Sequence, residues 1–233
     1  MPDYTRTLRD VDQLYAQRDV SGNLAASITK LETVLAKEPE NYDALWRLAR
    51  SYSEVAAFGH LSKKEIASAF SKGEAAGAQA ITVRSDAIEG YLWHAAVMGK
   101  RAELGNNLAA LGAVQTILLD MEEVMALEPA CPTAYYVLAT VHRQAPPIIS
   151  IGNLDNAQRY IDRAVSLNPH SVRFYHESGL IALARKDKAG AIKAFEAAIA
   201  LPPEIDDDSA DARYLRQLQA DARAQIQKLR KKR

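Results

Sequence analysis

Prolines at positions 39, 129, 169 and 203 each close a helix-forming run that carries small and large apolar residues at matching offsets. Proline lacks the backbone N–H that a helix interior needs, so these positions mark where successive copies of a unit stop. In the last copy Gly179, Ala191, Phe195, Ala198 and Pro203 fall at places 8, 20, 24, 27 and 32 of a period of about 34 residues. One period earlier, Ala157, Ile161 and Ala164 stand where Ala191, Phe195 and Ala198 stand later. A unit of this size is a helical hairpin, and hairpins of this kind bury their apolar faces only by stacking on one another. The chain is therefore expected to be all-α, a solenoid whose groove meets a partner.

The frame divides the chain into units near 8–41, 42–84, 85–131, 132–171 and 172–205, an array over 1–205, followed by a capping helix with a basic tail over 206–233. The first hairpin pairs helices near 5–18 and 23–37. First-helix stripes then read Ala44, Leu45, Leu48, Ala49, Tyr52 in the second unit and Ile88, Tyr91, Leu92, Ala95 in the third. Three units are widened. Phe58–Leu61 delays the second helix of the second unit, which begins at a capping-box pair, Ser62 and Glu65. Met98–Leu111 either extends the first helix of the third unit or forms an extra turn. In the fourth, Pro146 and Pro147 bar helix, and Ile148, Ile149 and Ile151 make an apolar loop, either an association patch against a neighbouring copy or a partner, or a flap folded on its own helices. Gly73, Ala76, Gly77 and Ala80 form a small-residue face suited to close helix packing. The acidic run Glu204–Asp208 precedes the cap, and Lys228–Arg233 ends it, in keeping with the helix dipole.

Lysines and arginines balance aspartates and glutamates at 29 each, so the basic excess of a nucleic-acid binder is absent. Cys131 is the single cysteine, and it has no neighbour at metal-ligand spacing. No stretch is apolar enough to span a bilayer, and the polar start Met-Pro-Asp-Tyr-Thr-Arg has no signal-peptide core. A cytoplasmic location is expected, or a periplasmic one if an export signal was removed before Met1.

The places occupied by Gly179, Ala191, Phe195, Ala198 and Pro203 resemble the tetratricopeptide pattern. The middle of the chain is more selective. Ala87–Gly99, a long interruption, Met121–Pro129, Ala134–Ala139, the loop with Pro146 and Pro147, and Gly152–Ala157 look like the T-component family of TRAP transporters, over residues 8 to 205. That resemblance implies a bacterial periplasmic lipoprotein accessory of a solute importer, with a solute-binding protein as partner. A more distant likeness, carried by the widened repeats, is to the regulators of microtubule dynamics.

In tetratricopeptide arrays the second, fifth, ninth, twelfth and thirteenth places of each first helix face the concave surface. Applied to this frame, the resemblance selects Trp46, Arg50, Glu89, Trp93, Tyr136, Thr140, Arg143, Arg173 and His176. Aromatic rings give contact area at little entropy cost, and arginine holds carboxylates through paired hydrogen bonds. These residues are expected to take an extended peptide, a chain terminus or a small anionic solute; the competing reading makes the tryptophans interhelix filling and pairs the arginines with acids such as Glu54 or Glu89. The lysine and asparagine set that clamps chaperone tails is missing. Motifs for zinc proteases, phosphate loops and nucleophile elbows are also missing, and His94 and His142 stand alone on helices, so neither enzyme activity, metal nor cofactor is expected. Two functions remain: a TRAP-type accessory scaffold, or a cytoplasmic adaptor that assembles complexes by gripping peptide segments, with homo-oligomerisation open in both.

Overall fold

The computed structural model describes residues 3–59, 61–104, 107–145, 152–203 and 212–231, and regular structure among them is entirely helical. Contacts gather the chain into two compact units, Met1–Pro129 and Ala130–Arg233. In unit 1, α1 (Thr5–Ala16) pairs with α2 (Asn23–Leu35), α3 (Tyr42–Ser53) with α5 (Lys63–Val83) across the single turn α4 (Val55–Phe58), and α6 (Ile88–Leu104) with α7 (Asn107–Leu127). Unit 2 pairs α8 (Pro132–Gln144) with α9 (Leu154–Leu167) and α10 (Val172–Ala184) with α11 (Lys188–Ala200), and adds α12 (Ala212–Lys231). The tetratricopeptide-like hairpin array expected from the repeat is the observed architecture.

Local chemistry starts the helices. The Asn41 side chain accepts from the Ala44 N–H at 3.0 Å to open α3, and the Ser62–Glu65 capping box opens α5. Asn153 and Asp187 do the same for α9 and α11. The helix expected to run to residue 18 stops at Ala16, because Arg18 turns back, donates to the Tyr15 carbonyl at 3.1 Å and is buried. Of the Met98–Leu111 stretch, the residues to Leu104 end the 17-residue α6 and those from Asn107 start the 21-residue α7, with Gly105 and Asn106 outside the described residues. The Pro146–Ile151 loop, the Glu204–Asp208 run and the last two tail residues lie outside the described residues.

The repeat stripes form the core. Ala44, Leu45, Leu48, Ala49 and Tyr52 are all buried in α3, and Ala157, Ile161, Ala164, Ala191, Phe195 and Ala198 are fully buried in unit 2. The small-residue face of α5 sets how closely its neighbours come. A β-carbon on Gly73 would lie 2.7 Å from Tyr52 Cβ and 3.1 Å from Val97 Cγ2, and one on Gly77 would lie 2.8 Å from His94 Cβ and 2.9 Å from its Cα. In unit 2, Gly179 plays the same part against Phe195, whose ring a β-carbon would overlap.

α12 packs on both α10 and α11, as the first helix of a further repeat would. Leu215, Ala222 and Ile226 supply its buried side. Buried Gln219 points its Nε2 at the carbonyls of Leu201 at 2.7 Å, Ala198 at 3.0 Å and Ile199 at 3.4 Å, satisfying the end of α11 where the main chain leaves the helix. Gln219→Leu keeps the volume and strands those acceptors, so it should cost about 1–3 kcal/mol in urea unfolding of the full chain. A loss below about 0.5 kcal/mol would mean that water replaces the amide.

Candidate interaction face

In unit 1, Trp46, Arg50 and Trp93 of the residues selected from the sequence gather around Tyr15 of α1, whereas Glu89 pairs with Tyr42. The Arg50 guanidinium lies 4.0 Å from the Tyr15 ring centre and 5.1 Å from that of Trp46, and Arg47 covers Trp46 at 4.0 Å. Arg18 is 4.4 Å from the Tyr15 ring and 5.7 Å from that of Phe58. Phe58, Arg18, Tyr15, Arg50, Trp46 and Arg47 thus alternate ring and cation in one ladder joining α1, α3 and α4, and Trp93 of α6 meets Tyr15 edge-on at 6.4 Å. Both tryptophans are half-buried.

Carboxylates hold the edges of the guanidinium groups. Asp12 receives Arg47 Nε at 3.0 Å and Arg50 Nη2 at 2.5 Å, Asp43 receives Arg47 Nη1 at 3.1 Å, and Glu54 lies 3.9 Å from Arg18. Burial draws the Arg50 pKa down, against the pull of Asp12. Glu89 accepts the Tyr42 hydroxyl at 2.9 Å; burial and this acidic neighbour push the Tyr42 phenol up to about 12.

Burial pulls the Asp12 carboxyl upward, but hydrogen bonds from Arg47 and Arg50 outweigh it and leave the group below its ordinary 3.8. A carboxylate lowered by folding stabilises the fold above its unfolded value, and that contribution is lost as pH falls through the lower folded value. Acid titration of tryptophan emission should therefore be flat down to about pH 4 and then shift, a step that Asp12→Asn removes. A step centred above about pH 5 would assign the change to another group.

The other selected residues lie in unit 2. Tyr136 stacks on Phe174 at 5.3 Å with the Arg173 guanidinium 5.5 Å from its ring, and burial raises the Tyr136 phenol above its ordinary range. The Thr140 hydroxyl donates to the Tyr136 carbonyl at 3.1 Å. Arg143 grips buried Glu177 through two hydrogen bonds, Nε to Oε1 at 2.5 Å and Nη2 to Oε2 at 3.1 Å. His176 Nε2 is 2.9 Å from Asp221 Oδ2 on α12, its ring tilted against Phe195. Outside this set, His94 pairs with Asp120 at 2.7 Å, and His142 stacks on Tyr160. No group of His, Cys, Asp and Glu suited to a metal occurs among the described residues, and no helix among them is long and apolar enough to cross a membrane.

The model of the regulator of microtubule dynamics protein 1-3 family matches residues 7–145, which include all of the ring-and-cation ladder. The chain belongs to that family. A tetratricopeptide repeat model matches residues 150–209, so this regulator-family chain continues as ordinary repeats beyond the family's own stretch. No curated protein matches it. Among solved structures, it is similar to a thermophilic tetratricopeptide protein of Thermus thermophilus, with a TM-score of 0.73 and 16% identity over 95% of this chain and 100% of that one. MamA from Desulfovibrio magneticus RS-1, from residue 41 to its end, gives 0.59 and 17% over 89% and 99%. A tetratricopeptide protein of Parabacteroides merdae gives 0.52 and 18% over 97% and 78%. At these identities the likeness is one of fold.

Sequence reasoning about this regulator-family chain missed Asp12, Tyr15, Arg18 and Arg47. The signal for Asp12 was present, because it holds the fifth place of the unit that begins at Leu8. Tyr15 and Arg18 lie outside the concave places and become visible only when the end of α1 is seen to turn back.

Proposed function

We propose that this regulator-family chain is a non-enzymatic scaffold that takes an extended segment of a protein partner along the Tyr15, Trp46 and Trp93 face of unit 1. The observation that carries the reading is that two large half-buried indoles are held on successive first helices by a pre-formed ladder, so docking orders little that is not already fixed. Its polar groups are engaged in ion pairs and ring stacks, an arrangement for holding rather than for bond-making. The family's descriptor directs the search for that partner to the assembly and turnover of microtubules. The adaptor reading of the sequence is thereby favoured over the TRAP-type accessory with an anionic solute, since Arg50 and Arg143 already hold Asp12 and Glu177. A free anion would have to displace an internal carboxylate.

Trp46 and Trp93 are the only tryptophans in the chain, so emission excited selectively from tryptophan, apart from the ten tyrosines, reports on this face. The test is to pan random 12-residue peptides displayed on phage against the full chain, then titrate the enriched peptides and follow emission. Enriched sequences that shift it are expected; no enrichment, or binders that leave emission unchanged, would overturn the assignment.

A further inference from the structure

We infer that the segment taken by the unit 1 face is basic, an extended protein stretch carrying lysine or arginine between apolar side chains. The inference rests on the docking face proposed above and assigns its partner a charge.

In the ladder the cations are the shielded groups and the acids that hold them the more exposed ones; beside it, Arg84 is an exposed cation 3.7 Å from the Tyr42 ring. Arg47 and Arg50 side chains are 15% and 12% exposed, whereas those of Asp12 and Asp43, which hold their edges, are 39% and 54% exposed. The faces of the guanidinium groups are covered by Trp46 and Tyr15. The charged surface that this cluster leaves to an incoming chain therefore belongs more to the carboxylates than to the guanidinium groups. The acidic places recur: Asp86 holds the second place of the third repeat, as Asp43 does in the second, and both are exposed. Glu89 follows at the fifth place, where Asp12 and Trp46 stand in the two units before.

The surrounding unit has the same sign. Residues 1–129 contain 13 lysines and arginines against 18 aspartates and glutamates, and residues 130–233 contain 16 against 11, so a chain of zero net charge is divided into −5 and +5. A field of that sign draws basic segments toward unit 1 and repels acidic segments and phosphate backbones. Indole beside carboxylate is also the chemistry that receives a lysine or arginine side chain, through cation–π contact and a charge-assisted hydrogen bond together.

The test titrates the full chain with three synthetic 12-residue peptides of glycine spacing and two leucines, carrying four arginines, four glutamines or four glutamates, and reads tryptophan emission. The arginine peptide should bind tightest, and its affinity should fall severalfold as salt rises from about 50 to 300 mM. The triple variant D43N/D86N/E89Q should lose about tenfold for that peptide with its helical circular dichroism unchanged. Asp86→Asn alone, in the exposed turn before α6, should lose a smaller share of that affinity and provides the readout if the triple variant folds poorly. Equal or tighter binding of the glutamate peptide, no response to any of the three, or affinity for the arginine peptide that survives these variants would overturn the inference. Phage binders that shift emission but lack basic residues would sink this charge assignment and leave the docking face standing; an empty selection would sink the face itself.

Discussion

Gly179→Ala is expected to destabilise the protein by about 1–3 kcal/mol, although alanine is the better helix former. In an exposed helix the change would be favourable by about 0.5–1 kcal/mol, because glycine loses more backbone freedom on folding. Here the added methyl would overlap the Phe195 ring, which is wholly buried between α10 and α11 and tilts against His176. A ring with no exposed surface has little room to move, so the hairpin must open. Denaturant unfolding of the single variant and of Gly179→Ala with Phe195→Leu decides it. The second change trims the obstructing ring, and the pair should lose less than the sum of the two singles. Strict additivity would show that the methyl finds room elsewhere.

Arg143→Ala is expected to cost about 3–5 kcal/mol, the range for stripping one partner from a buried ion pair. Glu177 is 4% exposed, and both of its carboxylate oxygens receive Arg143. Without the guanidinium that charge is left in a site with little access to water. Glu177→Gln in the Arg143→Ala background removes the stranded charge and should restore part of the loss in the same unfolding measurement. An Arg143→Ala cost below about 1 kcal/mol would show that solvent reaches the carboxylate and would return Arg143 to the groove.

Much of the fold was legible because helical repeats write themselves as periods: the stripes at Ala44–Tyr52 and Ala157–Ala164, the Ser62 cap and the small face of α5 all stand where the pattern put them. The face was legible only in part, for a physical reason. Concave places can be counted from the period, but what a side chain does there depends on its neighbour across the stack. The period marks Arg50 as a holder of carboxylates, and the carboxylate it holds is that of Asp12, 38 residues upstream. Glu54, a candidate arginine partner by sequence, lies beside Arg18 of the preceding repeat. Glu89 holds a tyrosine hydroxyl, a bond between repeats that no spacing rule anticipates.

Helix α5 runs for 21 residues where its partner α3 has 12. At about 1.5 Å per residue it is therefore roughly 13 Å longer. Its tight contacts begin at Ala69, and apart from Ile66 the preceding residues, Lys63–Ser68, are exposed. The stacking period is thus uncoupled from the contour length of the chain: this arm can grow or shrink by whole turns while the contacts at Gly73 and Gly77 keep their register. Such an arm is a natural place for lineages to diverge in size, and for an experimenter to graft an epitope or a fluorophore without touching the core.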